Sequence, residues 1–254
     1  MPASTIFITG ANRGLGLGMT KILLKRGHNV IAAARNPEAA TDFKELKKQY
    51  PQSFDTVVLD VAETNSVNDA AAAVAKNPLA KDGIDVLINN AGAMQGSFYN
   101  GLYGSQSDPI EDLRSTFEVN VYGVVRVNNA FLPLLRKKTS GKKQIIVISS
   151  AGGSISTPFA KMPIVSIYAT SKSAANMLVL KSHGELEKEG IAIVSYYPGV
   201  VETDMAKDAD PKAFEGLEKL TVEQAAEKAS DVFEKLETGD SAKFLSYDGS
   251  ELPW

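Results

Sequence analysis

The stretch that most limits what this chain can fold into is its opening, residues 4–16. Residues 5–9 (Thr-Ile-Phe-Ile-Thr) are apolar and β-branched, the composition of a buried strand. They run straight into Gly10-Ala11-Asn12-Arg13-Gly14-Leu15-Gly16. After that, Leu17, Met19, Ile22, Leu23 and Leu24 recur at helical spacing up to Gly27. Glycine lets a backbone turn tightly and come close to a phosphate. The helix start adds free N–H groups and the positive end of its dipole. Strand, glycine turn and helix in that order predict a site for the pyrophosphate of a dinucleotide. The spacing is G-x-x-x-G-x-G rather than G-x-G-x-x-G, so an ordinary strand-to-helix turn is the competing reading.

The same alternation continues along the chain. Residues 29–34, 56–60, 85–88, 144–148, 191–197 and 243–247 read as strands, and 37–49, 64–75, 110–136, 167–188 and 222–237 as helices. Such alternation predicts an α/β fold built on a parallel, doubly wound sheet. A length of 254 residues, 44% of them hydrophobic, suits one such domain, or at most two small ones. A net charge of −3 gives no general attraction to nucleic acid or anionic membrane. With no cysteine, disulfides, thiolate metal sites and cysteine nucleophiles are excluded. The only histidines, His28 and His183, stand beside no suitable partner in the sequence, so neither a histidine metal site nor a Ser-His-Asp triad is expected. There is no apparent secretory segment and no apolar run near the ~20 residues that cross a bilayer, and a soluble, cytoplasmic protein is expected.

The ends of the strands carry the candidate binding residues. Where many dinucleotide folds place an acid for the ribose hydroxyls, this chain has Ala34 and then Arg35. A carboxylate there would repel a 2′-phosphate, whereas a guanidinium would pair with it, and Arg13 could close on the same group. This predicts NADP rather than NAD; the alternative is two solvated surface arginines. Asp60, with Val61 beside it, stands where an adenine amino group would be received, or else caps the following helix. Asn89-Asn90-Ala91-Gly92 combines small residues that admit a cofactor with amides that can tie strands together. Three irregular segments, 93–109, 154–166 and 204–221, are expected to shape a substrate cleft. Met94, Phe98, Tyr103, Phe159, Met162, Met205 and Phe214 on them suggest an apolar or aromatic guest, though floppy surface insertions would read the same way.

Tyr168 and Lys172 are four apart on a helix and share a face. A free phenol titrates at about 10. A nearby ammonium is expected to lower that value and make a proton donor for ketone reduction, or a base for alcohol oxidation. Ser150, at a strand end, could share the charge that develops on a carbonyl oxygen, or cap a turn. Asn120, on the apolar side of its helix, could hold a water that links Lys172 to solvent, or bond locally to backbone.

In this order the motifs resemble the short-chain dehydrogenase/reductase family from end to end. They are Thr9-Gly10-x-x-x-Gly14-x-Gly16, Asn89-Asn90-Ala91-Gly92, Asn120 with Gly123, Ser149-Ser150, Tyr168-x-x-x-Lys172, and Pro198-Gly199 with Thr203. The overall cut, including the tail 247–254, is similar to C-factor and sniffer-type carbonyl reductases and to fungal norsolorinic acid ketoreductase-like proteins. The resemblance implies a single Rossmann domain over 1–254, with about seven parallel strands and helices on both faces. It implies Asn120, Ser150, Tyr168 and Lys172 as a catalytic tetrad. It also implies a cofactor held by Gly10, Asn12, Arg13, Gly14, Leu15, Gly16, Arg35, Asp60, Val61, Asn90, Ala91, Gly92, Tyr168, Lys172, Pro198, Gly199, Val201 and Thr203. The expected activity is NADPH-dependent reduction of a small carbonyl compound, with no metal, nucleic acid or membrane partner. Relatives pair through the two long helices, which leaves monomer, homodimer and homotetramer open. The reading from another class is a dinucleotide-binding scaffold or sensor with little catalysis. Ser150 and Tyr168 lie 18 positions apart, a few more than the family pattern, which implies a longer loop at the substrate side.

Overall fold

The computed structural model describes residues 3–94, 108–139, 141–162, 164–206 and 218–254. Its frame is a seven-stranded sheet in the order β3-β2-β1-β4-β5-β6-β9, with every neighbouring pair parallel. The strands are β1 (Thr5–Ile8), β2 (Asn29–Ala34), β3 (Phe54–Val58), β4 (Val86–Asn89), β5 (Gln144–Ile148), β6 (Ala192–Tyr197) and β9 (Phe244–Ser246). A short second sheet pairs β7 (Val200–Val201) with β8 (Lys219–Leu220).

Helices cover both faces, as strands buried on both sides require. Ile6 and Ile8 face one core together with α1 (Gly14–Lys25), α2 (Thr41–Gln49) and α7 (Val222–Lys235). Phe7 faces the other, with α3 (Thr64–Ala75), α5 (Gly123–Arg136) and α6 (Ser166–Leu186), and stacks on Phe131 at 4.1 Å. The strand order reverses between β1 and β4. That is the switch point where open parallel sheets of this Rossmann type bind ligands. Among the described residues no helix is long and apolar enough to cross a membrane.

Some expected boundaries move. The helix expected over 37–49 is a 3-10 turn, Pro37–Ala39, followed by α2, because Asn36 caps the turn and Ala40 is extended. Strand β3 lies two residues earlier than expected: at the sheet edge Val58 is 57% exposed, while Phe54 is the residue that enters the core. The helix expected over 110–136 is not continuous. It consists of α4 (Pro109–Phe117), a π turn (Glu118–Tyr122) and α5.

Candidate active site

The glycine loop is shaped first by the protein itself. Gly10 has φ +63°, and a Cβ there would lie 2.9 Å from the Cα of Ala91. A Cβ on Gly16 would lie 2.5 Å from both the Asn90 side-chain nitrogen and the Gly10 carbonyl. Asn90 donates to the carbonyls of Thr9 and Gly10 at 2.9 and 3.0 Å, and the Thr9 hydroxyl accepts from the N–H groups of Asn90 and Ala91. The amide of Asn90 thus ties β4 to the loop. Asn89 reaches Asn128 on α5 instead of a neighbouring strand.

Gly14 differs from these two. It has φ +53°, and a Cβ there would meet only Thr203, at 3.6 Å, so Thr203 stands over the first turn of α1. Arg13 precedes that helix without a side-chain cap, and its first turn holds no acid. The unpaired N–H groups and the absence of a competing carboxylate suit a phosphate. Leu15 is buried in the core, so only its backbone can serve, whereas Asn12 and Arg13 are exposed.

Ala34 is buried at the end of β2 and Arg35 is exposed. Neither Arg13 nor Arg35 is paired with a carboxylate among the described residues. Asp60 lies two residues beyond β3. Its carboxylate accepts from the Ala62 N–H at 3.0 Å and its own N–H donates to Ser66, so it shapes a turn and does not cap α3, whose cap position is Glu63. Val61 is held against α5: a Cβ on Gly123 would lie 3.0 Å from it, and its carbonyl accepts from Arg126. At the far side, Gly199 takes φ +84° after Pro198 and packs against Leu220 and Tyr247. Val201 pairs with Leu220, and its carbonyl accepts from the Thr203 N–H at 2.9 Å.

Asn120, Ser150, Tyr168 and Lys172 gather at the carboxyl end of β4 and β5. The Lys172 ammonium donates to the Ile148 carbonyl at 2.7 Å and sits 5.4 Å from the centroid of the Tyr168 ring. A Cβ on Gly92 would fill the gap between Asn120 Oδ1, at 3.5 Å, and Lys172 Nζ, at 3.8 Å. Ser150 accepts from the Gly152 N–H at 3.2 Å, and Ala169 flanks the same glycine. Asn120, 1% exposed, is fully bonded: it accepts from the Ala93 N–H and donates to the Ala93 carbonyl and the Ser171 hydroxyl.

The expected depression of the phenol is not found. Burial pushes Tyr168 up to about 12, and the neighbouring Tyr197 adds to the rise. Burial also pulls Lys172 down to about 8. Desolvation disfavours both charged forms, and it is the leading cause of both shifts.

Met94, Phe159, Met162 and Met205 are described, with Met162 and Met205 well exposed. Phe98, Tyr103 and Phe214, and most of 93–109 and 204–221, lie outside the described residues. The longer run before Tyr168 contains a 3-10 turn, Pro158–Lys161, and ends at Val165, whose φ of +46° is left-handed. The structure adds three polar residues that the sequence reading gave no role: Ser149, Ser171 and Asn176, all buried beside the cluster. Asn176 carried a signal, because it continues the face of Tyr168 and Lys172 by one more turn.

The family model for short chain dehydrogenases matches residues 4–214. The chain belongs to the short-chain dehydrogenase/reductase family. Among curated members, an uncharacterized oxidoreductase of Schizosaccharomyces pombe is 38% identical over 98% of this chain and 97% of its own. A short chain dehydrogenase of Penicillium aethiopicum is 36% identical over the whole of both chains. Among solved members, the NADPH-bound carbonyl reductase from chicken fatty liver superposes with a TM-score of 0.87 at 30% identity, covering 100% of both chains. The carbonyl reductase Sniffer of D. melanogaster gives 0.84 at 29% identity, over 99% of this chain and 100% of that one. The family's oxidoreductase character and Rossmann sheet therefore apply to this chain.

Proposed function

We propose that this protein is an NADPH-dependent carbonyl reductase, with Asn120, Ser150, Tyr168 and Lys172 as its catalytic tetrad. The observation that carries this reading is the Tyr168 ring beside the Lys172 ammonium, at the sheet end that also holds Ser150. The uncapped start of α1, Gly14 beneath Thr203, and the open space at Gly92 fit a dinucleotide laid across the switch point. The NADPH-bound chicken reductase, similar over its whole length, supports the same cofactor. When bound, the reduced nicotinamide supplies the hydride.

The chain's own residues do the rest. Tyr168 stays protonated at neutral pH, since burial holds its pKa near 12, and its hydroxyl gives a proton to the carbonyl oxygen as charge develops there. The Ser150 hydroxyl donates a hydrogen bond to that oxygen. Lys172 stabilises the phenolate left behind, and Asn120 holds the Ala93 segment against the cleft. Exposed Met162 and Met205 favour an apolar guest. Exposed Ile110, Tyr122, Val125 and Met177 on α4, the π turn, α5 and α6 support pairing of two copies there.

The test is loss of NADPH absorbance over a panel of ketones and aldehydes. Tyr168→Phe is expected to lower kcat by about 10²–10⁴-fold with NADPH binding retained. Unimpaired turnover in that variant would end the mechanism. Cofactor binding with no consumption by the wild type across the panel would favour the scaffold reading. Arg35 and Arg13, exposed and paired with no carboxylate among the described residues, support NADP selectivity through a charge-assisted fork on the 2′-phosphate. Arg35→Asp is expected to narrow or invert the kcat/KM ratio of NADPH to NADH, and a wild-type preference for NADH would refute the assignment.

A further inference from the structure

We propose that Asn176 is a positioning residue that sets Ser150 against Tyr168; this rests on the catalytic reading above. Residues 149–153, which carry Ser150, leave β5 and form a 3-10 turn, Ala151–Gly153, seated on α6. Asn176 clamps that turn at both ends. Its side-chain oxygen accepts from the Ser149 hydroxyl at 2.6 Å, and its nitrogen donates to the Gly153 carbonyl at 3.2 Å. Ser173 donates to the same carbonyl at 2.9 Å. The two side chains joined across the clamp are withdrawn from water, with Ser149 2% and Asn176 3% exposed. The contact is close enough to have a register. A Cβ on Gly153 would lie 2.9 Å from the Lys172 Cβ and 3.2 Å from the Asn176 nitrogen.

Tyr168, Lys172 and Asn176 follow at intervals of four on one helix face. The residue two turns below the phenol therefore fixes the turn that presents the serine. The long run after Ser154 returns to the same turn through Thr157, whose hydroxyl donates to the Ala151 carbonyl at 3.5 Å. Ser149 is also anchored from the sheet, where its N–H donates to the Tyr196 carbonyl at 2.7 Å. What Asn176 adds is the link from that strand end to the helix of Tyr168.

A residue acting through Ser150 must lose its effect when Ser150 is gone. Ser150→Ala is expected to lower kcat by about 10²-fold. Asn176→Ala is expected to lower kcat by about 10-fold, with the Kd for NADPH unchanged, since ångström-scale misplacement is costly at a reacting centre. In the Ser150→Ala background the same change should cost less than about 2-fold. Ser149→Ala removes only one arm of the clamp and keeps the test open if Asn176→Ala does not fold; it should show the same dependence on Ser150 at about 3-fold. Equal losses with and without Ser150, or no loss from either variant, would overturn the clamp alone. Full activity in Ser150→Ala would instead overturn the catalytic reading, and the clamp with it.

Discussion

Two long helical segments flank the cleft, and they deliver their residues in opposite ways. Segment α6 runs unbroken for 21 residues, from Ser166 to Leu186, and presents Tyr168, Lys172 and Asn176 by simple spacing. The segment from Pro109 to Arg136 is interrupted by the π turn Glu118–Tyr122, and Asn120 lies inside the interruption. A π turn widens the helix locally and recurs at functional sites. Here it lets Asn120 bond both backbone groups of Ala93 and the Ser171 hydroxyl on α6. Regularity places one set of side chains, and a defect joins the other helix to them.

Breaking the irregular side should have the largest effect. Asn120→Ala leaves the Ala93 N–H and carbonyl without their partner. Stability is expected to fall by about 1–3 kcal/mol in urea unfolding. Turnover should fall by up to about 10²-fold as the 90–94 segment loses its anchor. A variant with wild-type kcat and stability would mean that the π turn places nothing of consequence.

On the regular side, Lys172→Met tests the buried charge. The folded lysine titrates near 8 and the unfolded one near 10.5. Between those values the unfolded chain holds a proton that the folded chain has released, so stability rises with pH across the window. Below pH 8 the full cost of the buried ammonium is present. The variant should therefore be more stable than wild type at pH 7, on the order of 2 kcal/mol, with the difference shrinking toward pH 10. A difference that does not vary with pH would show that Lys172 is not desolvated as the fold requires, whatever becomes of turnover.

The smallest effect concerns how α6 begins. Val165, β-branched, takes a left-handed φ of +46° just before the helix. Such a conformation costs a branched residue roughly 1–2 kcal/mol, part of which glycine returns as lost chain entropy. Val165→Gly is expected to raise stability by about 0.5–1 kcal/mol, read as a shift in the urea midpoint, and a loss of stability would contradict the strain.

The two helices also differ in how much of them the sequence discloses. The Tyr168–Lys172 face follows from counting, and Asn176 was there to be counted as well. The π turn does not, because inserting one residue into a turn barely alters an apolar pattern that Val121, Val124, Phe131 and Leu135 still satisfy. Strand β3 was displaced for a related reason. Val57, Val58 and Leu59 look like a core run, yet Val58 faces solvent at the sheet edge and Phe54 fills the core. The turn at Asp60 is likewise invisible, since a carboxylate serving Ala62 reads the same as one serving a ligand.

What the chain's letters determined by themselves is local: the glycines at 10, 14 and 16, the alternation of strand and helix, and a phenol and an ammonium on one helix face. What only the tertiary structure decided is where Asn120 points, how Ser150 is held, and the direction in which Tyr168 and Lys172 titrate. Spacing is a property of neighbours in the chain, whereas burial and hydrogen-bond partnership are sums over residues brought from far apart. The desolvation that raises one pKa and lowers the other does not exist until the sheet and both helices have closed around them.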